Sequence, residues 1–300
     1  MTDEAGRIVV SGLTKVFGTV RAVDNLNFTA APGSVTGFLG PNGAGKTTTL
    51  RCLLGLVAPT AGTATIGGLR YVDLPRPSGT VGAVLEASSF HPARTARNHL
   101  RVLCVANGYP VRRADDVLDL VGLTPAARRP VSEYSAGMRQ RLGLAAALLG
   151  EPQVLLLDEP ANGLDPEGIV WLRRFLRRLA AEGRTILVSS HVLSEVEQTV
   201  DDVVIIDRGS LVRQGSLAEL ADGQARPVVV RGPDLDRLAK VLHDLADLAH
   251  RDGALVVTGL RPEDVGHLAF AERIELHELS TEPSDLEDIF FTLTGGGASG

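Results

Sequence analysis

The stretch GPNGAGKTT, residues 40 to 48, lies between the apolar run SVTGFLG and the helical run KTTTLRCLLGLV. It fits the pattern G-x-x-x-x-G-K-[ST], with Gly40, Gly45, Lys46 and Thr47 at the fixed positions and Asn42, Gly43 and Thr48 inside the loop. Glycines there let backbone N–H groups converge on one anion, and the following helix N-terminus adds partial positive charge. The strand–loop–helix context is what the motif demands. A glycine-rich turn that simply starts a helix is the bland alternative. The chain has three lysines, Lys15, Lys46 and Lys240, among many arginines. A lysine kept against that background suggests a place where a compact ammonium is wanted rather than a planar fork.

Around this loop, apolar strands alternate with helical patterns. VLLLD (154–158), TILVSS (185–190) and DVVIID (202–207) read as buried strands, and IVWLRRFLRRLAAEG (169–183) as a helix. That alternation argues for a largely parallel α/β sheet covered on both faces. RIVVSGL and VRAVDNLNFTA read as earlier antiparallel strands, and AGTATIGG as a strand in a hairpin. The stretch from Pro92 to Pro130 lacks strand character and reads as a helical insert, followed by a helix from Ala136 to Leu149. ADGQARP reads as a linker, and beyond it strands and helices alternate again. There DLDRLAKVLHDLADLA reads as one helix, RIELHEL as a strand and DLEDIFFTLTG as a last helix, a series that suggests a small ferredoxin-like α/β unit. The expected domains are 1–223 (helical insert about 87–150), 224–294, and a flexible tail at 295–300.

Net charge is −6, which speaks against bulk nucleic-acid binding. Two cysteines, Cys52 and Cys104, give no disulfide framework. The N-terminus lacks an apolar signal core, and no apolar run approaches the roughly 20 residues that span a bilayer. The chain reads as soluble, so any membrane role needs a partner that supplies the spans.

Asp158 and Glu159 end the apolar strand VLLL, an expensive place for two carboxylates unless a cation or donors sit there. In phosphate-loop enzymes such an aspartate holds Mg²⁺, and the neighbouring Glu159 can polarise a water. An acidic turn with Asp165 capping the helix at Pro166 is the structural alternative. Further on, the stripe Arg173, Arg174, Arg177 and Arg178 opposes Ile169, Leu172, Leu176 and Leu179 and reads as a solvated face.

The phosphate loop, SAGMRQR and LLLDEP in that order, followed by GLD and SSH, resemble the ATP-binding subunit of ABC transporters over residues 7 to 223. SAGM, NGLDPEG and the tail DLEDIFFTLTG look like the bacterial antibiotic-resistance exporter branch, with its daunorubicin- and bacitracin-type ATPases. The resemblance implies ATP and Mg²⁺ as ligands, Phe17 stacking on adenine, and Thr47 and Asp158 at the metal. It makes Glu159 and His191 the water-activating pair. It puts Glu86 where the family has a glutamine, so that a carboxylate stands near the metal and γ-phosphate. It further implies that Ser135 and Gly137 cap the γ-phosphate held by a second copy, with Asp165 at that dimer interface. The expected partners are that second copy and a separate membrane permease at the inner face of the cell membrane, with no nucleic acid. The expected activity is ATP hydrolysis driving export of a drug, antibiotic or other hydrophobic small molecule. A soluble ABC ATPase clamping a non-membrane partner is the alternative.

Overall fold

A computed structural model describes residues 5–85, 90–192, 197–222 and 227–281. The chain divides into two compact units, with the change at Gly215/Ser216.

The first unit opens with two long strands, β1 (Ile8–Phe17) and β2 (Val20–Ala30), then β3 (Val35–Leu39), α1 (Lys46–Leu53) and β4 (Ala61–Ile66). β4 pairs with β1, Ile8 opposite Ile66, in a three-stranded antiparallel sheet of order β2-β1-β4. The expected hairpin at β4 is therefore a strand added to the far edge of β1. Period-two alternation signals one buried face but leaves the pairing partner open.

A short helix α2 (Pro77–Thr80) leads into β5 (Val81–Val84). The insert follows as α3 (Ala96–Asn107), α4 (Arg113–Leu120) and α5 (Ala136–Ala147). Thr95 caps α3 by accepting from Asn98 N, and Gly108 ends it at φ 71°. Then come β6 (Val154–Leu157), α6 (Pro166–Ala181), β7 (Thr185–Ser190), β8 (Asp202–Asp207) and β9 (Ser210–Ser216). Their sheet runs β5-β6-β7-β3-β8-β9, with β5 to β8 parallel. Every residue of β3, β6 and β7 is buried, as expected of strands covered on both faces. The core continues to the antiparallel sheet and α1 through Phe28, Phe38, Leu50 and Ile66, with the two phenyl rings 5.2 Å apart.

Parallel register fixes where the loops emerge. Leu39 pairs with Ser190, and Leu157 with Val188. Gly40, Asp158 and His191 therefore leave the sheet at one edge, the carboxyl ends of the strands, where open α/β sheets bind ligands.

The second unit holds α7 (Leu217–Asp222), β10 (Val228–Arg231), α8 (Leu235–Leu242), β11 (Asp247–Arg251), β12 (Ala254–Thr258), α9 (Pro262–Ala271) and β13 (Glu278–Thr281). The β-α-β-β-α-β order with antiparallel sheet β11-β12-β10-β13 is ferredoxin-like, packed around Val228, Val230, Leu238, Leu242, Leu255, Val257 and Val265. The long helix expected from Asp234 onwards stops at Leu242, and its last three residues, 247–249, open the edge strand β11. Asp252 (φ 51°) and Gly253 (φ 72°) make the two-residue turn that folds β11 onto β12, so hairpin chemistry overrides the helical leucine spacing. The strand expected over RIELHEL begins only at Glu278. The expected helix DLEDIFFTLTG, the tail at 295–300 and residues 193–196 of the helix expected from His191 lie outside the described residues.

Candidate active site

The phosphate loop turns on glycines that tolerate no side chain. Gly45 has φ 103°, and a Cβ there would stand 2.5 Å from Ala22 O. At Gly40 a Cβ would stand 2.5 Å from Ile206 O. Gly45 N-caps α1 without a side-chain hydrogen bond, so the first N–H groups of α1 have no acceptor within the helix. Asn42 and Gly43 are exposed on the outer rim.

Lys46 is 5 % exposed and folds back over the loop, donating to Gly40 O at 2.6 Å and Pro41 O at 3.2 Å. Its Nζ stands 3.6 Å from Glu159 Oε1. Burial lowers its pKa below the ordinary lysine value, while the Glu159 and then the Asp158 carboxylates oppose that shift. A buried ammonium held by carbonyls and carboxylates is poised to exchange them for a polyanion.

Thr47 Oγ1 donates to Asp158 Oδ2 at 2.7 Å, and Ser189 Oγ donates to Asp158 Oδ1 at 2.5 Å. Ser189 also accepts from Glu159 N at 2.9 Å, so one hydroxyl fastens both carboxylate residues to the end of β7. Glu159 adopts φ 46°, a left-handed conformation that a non-glycine residue keeps only when its surroundings impose it. Its carboxylate lies among three groups: Lys46 on Oε1, and on Oε2 both Asn162 Nδ2, which donates at 2.5 Å, and His191 Nδ1 at 3.2 Å. Ser189 and Asn162 were not singled out from the sequence. Ser189 lies in SSH and Asn162 in NGLDPEG, but neither motif by itself says that these side chains hold the carboxylates.

Among the described residues no cluster of three or more His, Cys, Asp or Glu side chains could hold a metal by itself. Thr47 and Asp158 instead offer two hard oxygen donors side by side, which suits a divalent cation whose shell is completed by phosphate and water. Glu86 lies outside the described residues.

Phe17, at the end of β1, is 48 % exposed, with Lys15 Nζ 4.7 Å from its ring centroid. That ammonium also donates to Ala58 O at 2.9 Å, so one cation braces an aromatic surface ring.

The other expected residues form a separate concavity. Ser135 is exposed and caps α5, its Oγ accepting from Met138 N at 3.2 Å. Asp165 caps α6, its Oδ1 accepting from Gly168 N at 2.8 Å. Both line an open cavity of about 390 Å³ together with Gly137, Arg141 and Glu167, and no residue of the phosphate loop lines it. The first unit thus presents two incomplete surfaces, one with cationic and acidic groups and one with two helix N-termini. Along α6, Leu172, Leu176 and Leu179 are buried, with Arg174, Arg177 and Arg178 exposed and Arg173 partly covered, hydrogen-bonded to Gln198.

A family model described as "ABC transporter" matches residues 23–162, and one described as a domain of unknown function, DUF8746, matches residues 226–287. The chain is 38% identical to the bacitracin transport ATP-binding protein BcrA of Bacillus licheniformis, over 98% of this chain and 99% of that protein. It is 36% identical to the Nod factor export ATP-binding protein I of Ralstonia nicotianae, over 95% and 93%. Among solved structures, the ATP-binding subunit of an ABC transporter superposes at a TM-score of 0.65, with 28% identity, covering 72% of this chain and 92% of that one. A dimeric bacterial ABC transporter cassette superposes at a TM-score of 0.64, with 24% identity, covering 70% and 98%.

Proposed function

Because this chain belongs to the ABC transporter family, we propose that it is the ATP-hydrolysing subunit that powers export of an antibiotic or other hydrophobic small molecule through a separate membrane subunit. No helix among the described residues is long and apolar enough to cross a membrane, so the transport path belongs to that partner. The subunit then works on the inner face of the cell membrane. The name of its Nod factor export relative supports export as the direction, and that of its bacitracin relative supports transport.

The observation that carries the reading is Glu159, held among Lys46, Asn162 and His191 at the carboxyl edge of the sheet. The N–H groups at the start of α1 and the Lys46 ammonium take the β- and γ-phosphates, and Phe17 takes the adenine face. Thr47 and Asp158 hold Mg²⁺, which when bound neutralises charge on the β- and γ-phosphate oxygens. Glu159 accepts a proton from a water aligned for in-line attack on the γ-phosphorus, and His191 keeps the carboxylate and water in register. The resemblance assigns Glu86 the place of the family's glutamine, where a carboxylate would add negative charge near the metal and nucleotide would bind only with the cation.

The second half of each site comes from another copy of the chain. Two copies pair head to tail about a two-fold axis, and the Ser135–Gly137 turn of one meets the γ-phosphate on Lys46 of the other. The domain boundaries follow suit: residues 1–223 bind nucleotide, their insert of about 87–150 grips the membrane subunit, and 224–294 form an accessory unit.

The test is affinity capture of the tagged chain from detergent-solubilised membranes, followed by ATPase assays on what is recovered. A co-purifying multi-span protein and drug-stimulated turnover are expected. Recovery of only soluble partners would favour an ATP-driven clamp instead.

A further inference from the structure

The chain's single tryptophan, Trp171, lies one face against an arginine of the neighbouring helix. Arg141 Cζ stands 4.1 Å from the Trp171 ring centroid. Trp171 stacks in turn on Phe175, with centroids 4.9 Å apart and planes 18° apart, and Arg178 Cζ covers that ring at 5.2 Å. Arg141 also donates from Nη1 to Val121 O at 3.5 Å, at the C-terminal end of α4. One guanidinium therefore touches α4 and α6 while belonging to α5.

The placement of this stack along the helices is symmetrical. Arg141 lies six residues after Ser135, the cap of α5, and Trp171 lies six residues after Asp165, the cap of α6. At 1.5 Å rise per residue, each contact sits about 9 Å from its own helix start. Pinning the two helices at equal distances from their caps holds the two N-termini side by side. Ser135 and Asp165 do line one concavity, and Arg141 lines it with them. We propose that the Arg141–Trp171 stack is a positioning device that holds the Ser135 and Asp165 helix starts in the mutual register needed to cap ATP on the opposing copy, with Trp171 acting through Arg141. This rests on the split-site reading given above.

Neither residue touches the phosphate loop's own nucleotide surface, so the stack should affect pairing of two ATP-loaded copies and leave each copy's binding of ATP alone. A stacked guanidinium is planar and oriented, which a lysine does not reproduce.

The test uses the full chain in a Glu159→Gln background, which holds ATP, and measures ATP affinity on dilute monomer and ATP-dependent dimerisation by sedimentation. Trp171→Leu keeps an apolar side chain but loses the π-face; it is expected to weaken dimerisation by about five- to tenfold, the scale of one partly buried cation–π contact. ATP affinity of the monomer is expected to stay within about twofold. Trp171→Phe should restore dimerisation, and Arg141→Met should weaken it as Trp171→Leu does. The double variant should be no worse than either single one, because both remove the same contact. Unchanged dimerisation in Trp171→Leu, or additive losses in the double variant, overturns the proposal. A parallel loss of monomer ATP binding also overturns it, by making the effect one of general stability. If Trp171→Leu does not fold, Arg141→Met against Trp171→Phe carries the same comparison. Ser135→Asp is the control for the underlying reading: if it dimerises with ATP as tightly as the parent, the split site is wrong whatever Trp171 does.

Discussion

Ser135 has two uses for one oxygen. In the single chain its Oγ accepts from Met138 N and closes the start of α5. In a pair of chains the same helix start is expected to face a γ-phosphate. Substitution separates the two. Ser135→Ala removes the cap and should cost about 1 kcal/mol of stability. Ser135→Asp keeps an equally good cap, so its unfolding midpoint should match the parent, but it sets a carboxylate against the phosphate and should abolish turnover. Equal losses of stability in both variants would falsify the cap assignment. Glu159→Gln should bind ATP normally and lose about 10²- to 10⁴-fold in turnover, the usual worth of a positioned base. Lys46 makes a prediction of opposite sign for stability. Its pKa is lowered by burial, so between that lowered value and the ordinary lysine value of 10.5 the unfolded chain binds a proton that the folded chain releases. Folded stability therefore rises with pH through that window, and below it the buried ammonium opposes folding in full. Without nucleotide, Lys46→Met should be at least as stable as the parent near neutral pH, with its advantage shrinking as pH climbs towards 10.5. Its ATP affinity should fall by about ten- to a hundredfold, the worth of lost charge-assisted hydrogen bonds. Thermal melts across pH, with and without ATP, check both. Lys46, Thr47, Asp158 and Glu159 were legible because loop, strand end and spacing all demand particular chemistry. Ser189 and Asn162 were not, because a serine at a strand end looks the same whether or not two carboxylates lean on it.

At the scale of elements, legibility followed the strength of local signals. The parallel strands were plain from continuous apolar runs that only a doubly covered sheet accommodates. The pairing of β4 with β1 was not, since the pattern of a strand says which face is buried and nothing about its neighbour. In the second unit, Leu238, Leu242, Leu245 and Leu248 keep a helical spacing across the end of α8, and that spacing misled. The Asp252–Gly253 turn was the stronger signal, because both residues take positive φ and so commit the flanking segments to a hairpin. Leu242 marks the boundary: it is fully buried in the core of the second unit, whereas Leu245, beyond the helix end, is 54 % exposed. Leu242→Ala should destabilise the second unit by about 2–5 kcal/mol, the usual range for emptying a buried leucine site. Leu245→Ala should cost less than about 0.5 kcal/mol, as at an exposed position. Calorimetry that resolves the two units separately would show it, with ATP binding by the first unit as the control.

At the scale of the whole molecule, the question is whether the two surfaces of the first unit act within one chain or between chains. Lys46 and Glu159 belong to one surface and Ser135 to the other, and the cavity around Ser135 includes no residue of the phosphate loop. A head-to-tail pair completes two sites at once, each using the phosphate loop of one copy and the Ser135 turn of its mate. This makes a prediction that no single-chain site can imitate. Glu159→Gln spoils one surface and leaves Ser135 intact; Ser135→Asp spoils the other and leaves Glu159 intact. Each variant alone forms only sites with a defect. In a mixed pair one site combines both defects, and the other combines the intact Glu159 with the intact Ser135. Random pairing of equal amounts would make about half of the dimers mixed, and the Ser135→Asp carboxylate disfavours the pairs that carry it, so at most about a quarter of all sites are whole. Mixing two inactive preparations should therefore restore ATPase activity, at most to about a quarter of the parent's if each whole site turns over independently. The restored rate should rise with protein concentration as pairs form. Activity that stays absent at every mixing ratio, although the mixed pairs are detected by differential tags, means that the intact sites do not work alone. Either the two sites must then fire together, or Ser135 serves its own chain, and a tethered dimer carrying both defects in one half separates the two. The tethered dimer keeps one wild-type chain whole, so a site confined to one chain leaves it active, while a shared site leaves both of its sites with one defect each.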